Sequence, residues 1–233
     1  MLGATYAQRR GQLETYFDRT AAAAWSRLTS DAPVSYIRRT VRAGRDAMRD
    51  TLLEWLPEDL AGCTLLDAGC GTGALAVAAA RRGAHVTAID LAPTLIALAR
   101  ERTPRDLGGG AIDFRVGDML APGGMRFDYV VAMDSLIHYR AQDAVDVVSR
   151  LAASTERGVL FTFAPRTPVL SVMHAAGKLF PRGDRAPAIE PASARTLARL
   201  LADAPGLAAW RQARTRRIAT GFYISQALEM TRP

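Results

Sequence analysis

Apolar residues recur three or four positions apart from Tyr6 to Leu28 and again from Tyr36 to Trp55, the spacing that lines one face of a helix. Asp31-Ala32-Pro33 separates the two runs and Pro57 ends the second, so residues 1–60 are expected to form an N-terminal helical arm. Past Gly62 the period changes. A short apolar run ending in Leu65-Leu66-Asp67-Ala68 passes through glycines at 69, 71 and 73 into the Ala-rich helical stretch Ala74–Arg82, stopped by Gly83. Ala84–Asp90 is a second strand, Pro93 opens a helix to about Arg102, and Ile112–Val116 is a third strand closed by Gly117-Asp118. Phe127–Met133 is a fourth strand closed by Asp134, Ala141–Ala153 a helix, and Gly158–Phe163 a fifth strand.

Strands alternating with helices predict a Rossmann-like α/β fold, a doubly wound parallel sheet, over residues 61–233. Between Ala164 and Pro191 the alternation lapses into a proline-rich insertion with a short helical piece near Val169–Leu179. Connections of this length are usually functional. Ser193 is placed to cap a helix reaching Asp203, and Leu207–Ile218 and Phe222–Met230 read as two β segments able to pair antiparallel. With arm and insertion the chain remains one domain, as its 233 residues suggest.

Composition narrows the class. With 49% apolar and 23% charged residues the chain is neither disordered nor fibrous. No apolar run approaches the ~20 residues of a membrane span, and the first residues lack a signal-peptide core, so a cytoplasmic protein is expected. Cys63 and Cys70 flank one strand, too far apart along it to bridge, and imply neither a disulfide nor a metal site. The net charge of +7 rests on arginine, Lys178 being the sole lysine. Arginine suits anionic ligands. Here, however, it is scattered over helices without the interleaved aromatics of a nucleic-acid surface, so no nucleic-acid partner is expected.

The glycine loop sets the chemistry. It lets backbone N–H groups approach a ligand closely, at the start of a helix. The spacing Gly69-x-Gly71-x-x-Ala74 also fits a dinucleotide fingerprint, so the loop alone leaves a dinucleotide and an adenosyl sulfonium open. Asp90, about 20 residues on and followed by Leu91, suits bidentate acceptance from ribose hydroxyls. Asp118 can accept the exocyclic amine of adenine while Met119 packs on its ring.

Asp67-x-Gly69-x-Gly71-x-Gly73, Asp90, Gly117-Asp118 and Phe127-Asp128 leading to Asp134 together resemble the motif series of class I S-adenosylmethionine-dependent methyltransferases. That resemblance implies a seven-stranded sheet with an antiparallel last strand, S-adenosyl-L-methionine as methyl donor, a glycine loop including Cys70 that cradles the methionine part, and Asp67 near its ammonium. Asp134-Ser135-Leu136-Ile137-His138-Tyr139, Gly221-Phe222-Tyr223-Ile224-Ser225, and Tyr16-Phe17 followed by Trp25 are similar to the family of magnesium protoporphyrin IX methyltransferases, which esterify one porphyrin propionate in (bacterio)chlorophyll synthesis. In the insertion Leu179-Phe180-Pro181 matches that family, whereas Arg182-Gly183-Asp184-Arg185 departs from it.

Methyl transfer from a sulfonium is an in-line displacement that needs positioning and exclusion of water. A propionate is already ionised at pH 7. His138 is therefore expected to hold the carboxylate by a hydrogen bond or to act as base, the former being favoured. Tyr16 is the second catalytic candidate, with Tyr36 and Tyr139 behind it. His174 is read as a packed or exposed residue and His85 lies at the wrong end of its strand. Val169, Leu170, Val172, Met173, Leu179 and Phe180, with Lys178, Arg182 and Arg185, offer an apolar face with cations for a tetrapyrrole, so arm and insertion are expected to form a lid. No protein-bound metal is expected, the magnesium being carried by the substrate. The resemblance further implies handover from the large subunit of magnesium chelatase and peripheral contact with the photosynthetic membrane. A methyltransferase of the same fold with another small acceptor is the alternative.

Overall fold

The structure, a computed structural model, describes residues 4–20, 36–166 and 189–232. Trp25 and the insertion residues from Val169 to Arg185, His174 and Lys178 among them, lie outside the described residues. Helix α1 (Ala4–Thr15) runs into a π-helical turn at Tyr16–Thr20, and α2 (Tyr36–Trp55) leads to β1 (Thr64–Ala68). Then come α3 (Ala74–Arg81), β2 (His85–Asp90), α4 (Pro93–Arg102), β3 (Ala111–Val116), β4 (Phe127–Ala132) and a 3-10 turn at Leu136–His138. Helix α5 (Ala141–Ala153), β5 (Thr155–Phe163), α6 (Ala194–Asp203), β6 (Arg211–Thr220) and β7 (Tyr223–Thr231) complete the described chain.

Seven strands form one sheet in the order β3-β2-β1-β4-β5-β7-β6. The first five pair in parallel, while β7 lies antiparallel to both β5 and β6. Strand order reverses between β1 and β4, which opens a crevice beyond their carboxyl ends. Alternation along the strands divides the core. Leu65 and Val131 face α2, α3 and α4 with Met48, Leu52, Ala76 and Ile96, whereas Leu66 and Val130 face α5 and α6 with Val148, Leu151 and Leu197.

The segment read as an arm divides in two. Helix α2 buries Met48, Leu52 and Trp55 against the sheet and is a layer of the core, whereas α1 lies over the carboxyl ends of the strands. A side chain at Gly44 would collide with the Tyr223 ring, so α2 and β7 meet without a gap. Ser193 caps α6 as expected, its hydroxyl accepting from the Thr196 N–H at 3.0 Å.

Two strand starts differ from the pattern. β5 begins at Thr155 rather than Gly158, because the buried Thr155 hydroxyl donates to the Leu151 carbonyl (2.6 Å) and needs no water. β6 begins at Arg211 rather than Leu207. Leu207 and Trp210 instead anchor a turn closed by the Trp210 N–H on the Leu207 carbonyl (2.8 Å), leaving an exposed, arginine-rich edge strand.

Candidate active site

The carboxyl ends of β1 and β2 come together through the glycine loop. The N–H groups of Gly69 and Cys70 donate to the Ile89 carbonyl at 2.8 and 3.0 Å, and Gly69 has φ 83°. A Cβ at Gly69 would stand 2.5 Å from that of Ser135, so only glycine lets the loop approach the segment after β4. Asp90 ends β2 and accepts from the Gly71 N–H (2.8 Å) and the Ala92 N–H (3.0 Å). A carboxylate offers about four acceptor sites, so Asp90 keeps capacity for the expected ribose hydroxyls. The Cys70 thiol is held protonated, burial pushing its pKa up, and it adds a weak contact of 3.9 Å to the Gly71 carbonyl. Leu91 and Met119 pack in one apolar cluster with Ile89, Tyr6 and Phe17.

Asp67 is 2% exposed and its Oδ2 is buried without a hydrogen-bond partner. Burial, then the neighbouring Asp90 charge, pushes its carboxyl up to about 7, against the pull of the Ala76 N–H. A buried acid with an empty acceptor is costly unless a cation meets it. An ammonium at the end of an adenosyl amino acid supplies that cation, so the residues present fit S-adenosylmethionine.

At the end of β3 the picture shifts from expectation. Asp118 Oδ1 accepts from the Tyr6 hydroxyl (2.8 Å) and the Leu120 N–H (3.0 Å), and Oδ2 from Arg10 (2.8 Å). Burial raises its pKa, but the Leu120 N–H, Arg10 and Tyr6 outweigh that and hold the acid below the usual carboxylate range. The acid expected to meet adenine is thus the acid on which α1 closes. Tyr6 also stacks on Tyr139, centroids 5.1 Å apart, which takes Tyr139 into the packing of α1.

His138 closes the 3-10 turn after β4 and is 7% exposed. Phe17 meets it edge to face at 5.9 Å, and Tyr16 meets Phe17 in the same way at 5.3 Å. The structure thereby brings the two candidates to the same end of the sheet with Phe17 as the ring between them. Tyr36 is 68% exposed at the start of α2, and His85 sits at the amino end of β2.

Asp134 departs from its expected cofactor role. Its carboxylate is taken up by Arg45 (2.7 Å), Tyr223 (3.0 and 3.1 Å), Ser225 (3.3 Å) and the Thr162 hydroxyl (3.2 Å). Protein donors fill the acceptor sites that a cofactor would need, and the side chain serves instead to join strands and helix.

Sequence reasoning missed Tyr6, Arg10 and Arg45 because each acts far from its own segment: 112, 108 and 89 positions separate them from their acids. The only local hint was at the other end, in the Tyr223 and Ser225 motif. Glu190, at the end of the insertion, likewise pairs with Arg9 at 2.7 Å and donates its N–H to the Ile137 carbonyl at 2.8 Å.

Comparison with known proteins gives the family. The family profile described as magnesium-protoporphyrin IX methyltransferase C-terminus matches residues 132–232, and a methyltransferase-domain profile matches residues 65–158. A magnesium-protoporphyrin O-methyltransferase of Rhodobacter capsulatus is 48% identical over 225 residues, covering 96% of this chain and 97% of that protein. Its namesake from Synechocystis is 31% identical over 93% and 94% of the two chains. The crystal structure of magnesium protoporphyrin IX methyltransferase from Synechocystis PCC 6803 with bound SAH superposes with a TM-score of 0.83 at 30% identity, covering 96% of this chain and all of that one. Likeness of this extent, running through arm, sheet and C-terminal strands alike, places the chain in the magnesium-protoporphyrin O-methyltransferase family.

Proposed function

We propose that the chain transfers a methyl group from S-adenosyl-L-methionine to one propionate of magnesium protoporphyrin IX, giving the monomethyl ester used in (bacterio)chlorophyll synthesis. The observation that carries this reading is the 48% identity, over nearly the whole of both chains, to a protein with that acceptor in its name. The site supports it: a buried acid with one unpartnered oxygen at the end of β1, a second acid at the end of β2, and a buried histidine in the turn after β4, on the other side of the switch point.

Bound S-adenosylmethionine supplies a methyl group already activated by its sulfonium. The protein's part is placement. Asp67 receives the ammonium, Asp90 the ribose, and Leu91 and Met119 flank the adenine, with Asp118 at its edge. His138 holds the propionate by a hydrogen bond, and because that carboxylate is already ionised no proton has to leave. Phe17 and Tyr16 wall the site against water, which raises the worth of each electrostatic contact inside it. No described helix is long and apolar enough to cross a membrane. Delivery of the porphyrin by the large subunit of magnesium chelatase and contact with a membrane surface rest on the family resemblance.

The test is transfer of labelled methyl to magnesium protoporphyrin, with metal-free protoporphyrin and a simple carboxylic acid as parallel acceptors. Ester on the magnesium porphyrin above both others is expected. No ester, with S-adenosylhomocysteine still bound, would leave a methyltransferase for a different small acceptor.

A further inference from the structure

Two motifs that drew attention in the sequence meet in space without touching the reacting groups. Tyr223 and Ser225, on β7, both donate to Asp134, which stands two residues past the end of β4 and four residues before His138. From a third direction Arg45 of α2 pairs with Asp134 Oδ2 at 2.7 Å. From a fourth, Thr162 of β5 accepts the Asp134 N–H at 2.7 Å and donates its own proton back to Oδ1 at 3.2 Å. The acid's side chain is 6% exposed. It also has φ 54°, the only positive φ of a non-glycine residue among the described residues.

Backbone in that region is unfavourable for a residue with a Cβ and persists only where the surroundings fix it. Here the surroundings are the four donors just named. The turn they force sends the chain sideways off the end of β4, setting Ser135 against Gly69 and carrying Leu136–His138 into its 3-10 turn. The turn is closed by the Tyr139 N–H on the Leu136 carbonyl at 3.1 Å, which fixes where the imidazole projects.

We propose that Asp134 is a positioning residue for His138, with Arg45 and Tyr223 as the side chains that hold it, so that α2 and β7 set the aim of the imidazole at the acceptor carboxylate. The inference rests on His138 holding that carboxylate, as proposed above. Asp134 is buried while Arg45 is partly exposed, so breaking the pair leaves a buried acid short of a donor, and a shift of about 1 Å in a catalytic group is enough to slow transfer by one or two orders of magnitude. The cost therefore falls on turnover, and cofactor affinity is spared because the carboxylate has no acceptor site left for it.

The experiment is a double-mutant cycle on the full chain, with kcat and KM for magnesium protoporphyrin measured beside the dissociation constant of S-adenosylhomocysteine. Asp134→Asn keeps a residue tolerant of positive φ, and Tyr223→Phe keeps the ring that packs on Gly44. Asp134→Asn should lower kcat about tenfold and Tyr223→Phe about threefold, with KM and inhibitor affinity within about twofold of the parent. In a His138→Gln background each change should cost less than about twofold, since there is no imidazole left to aim. Equal fold losses in both backgrounds would overturn the proposal, as would inhibitor affinity falling in step with kcat, or a lowered melting midpoint with kcat unchanged. If Asp134→Asn does not fold, Tyr223→Phe carries the same cycle alone. His138→Gln with undiminished turnover would sink the reading of His138 itself, a result separate from the coupling between the two sites.

Discussion

The two halves of the site, on either side of the switch point, are built in different ways. The cofactor half is made of short-range parts: Asp67, the glycine loop and Asp90 lie within 24 residues of sequence and are tied by loop hydrogen bonds to adjacent strands. The acceptor half is made of long-range parts. Phe17 from the arm, His138 after β4, Arg45 from α2 and Tyr223 from β7 converge from four elements. A shared ligand such as S-adenosylmethionine is served by a cassette that any such chain can carry, whereas the acceptor is met where the chain's own additions fold back on the cassette.

If the division is real, damage to each half should show in a different constant. His138→Gln is expected to lower kcat about a hundredfold and to leave S-adenosylhomocysteine affinity unchanged, as loss of an orienting or proton-handling group does. Asp67→Asn is expected to weaken that affinity about a hundredfold, the scale for removing one partner of a buried charge pair. Calorimetric titration beside steady-state kinetics reads both. A fall in cofactor affinity on His138→Gln equal to the fall in kcat would abolish the distinction.

The pH response of Asp67 sharpens it. In the free protein burial and Asp90 lift the folded carboxyl from 3.8 to about 7, so between those values the folded chain keeps a proton that the unfolded chain has released. Stability of the free protein should therefore fall as the pH rises across that window, and the full cost is present above about 7. Asp67→Asn should flatten that slope and raise the melting midpoint near neutral pH. Cofactor binding runs the other way, because the ammonium needs the ionised acid: affinity should drop by up to about tenfold per unit as the pH falls below about 7. In Asp67→Asn the residual affinity should hardly depend on pH. A parent whose affinity is flat from pH 8 to 6 would show that Asp67 does not meet the ammonium.

The same division explains how much was readable in the sequence. The strands of the sheet, their order of appearance and the acids at their ends follow from period and punctuation, since each is a local pattern: Leu65-Leu66-Asp67 beside a glycine loop, Ile89-Asp90, Phe127 to Asp134. His138 and Tyr16 stand out as candidates by motif, and the structure joins them through Phe17, which the pattern could not foresee. Asp134 was read as one more strand-end acid because its neighbours look like those of Asp67 and Asp90. What sets it apart is Arg45, 89 positions away, and Tyr223, 89 positions away on the other side. Such pairings depend on how α2 and β7 pack, and packing leaves no periodic trace. Helix α2 shows the same limit: read as arm, it buries Met48 and Leu52 completely and is core.

The smallest expected effect lies where the halves touch. Helix α1 closes on Asp118 of the cofactor side by one hydrogen bond from the buried Tyr6 and one ion pair from the partly exposed Arg10. Tyr6 is 3% exposed and donates to an ionised acid, so Tyr6→Phe should cost roughly 1.5–3 kcal/mol of the closed arrangement. Arg10 has a side chain 41% exposed, and the median for such surface pairs is about 0–1 kcal/mol. Closure over bound cofactor should therefore weaken several-fold more in Tyr6→Phe than in Arg10→Gln, read as the rate of S-adenosylhomocysteine release and as protection of residues 4–20 from hydrogen exchange. Added salt should shift the parent toward Arg10→Gln behaviour, weaken closure in Tyr6→Phe further and leave Arg10→Gln little changed, because only the Arg10 pair is screened. If instead Arg10→Gln had the larger effect, the contact holding α1 on Asp118 would be an electrostatic one made in water, and the cofactor side would be closed from outside rather than by its buried tyrosine.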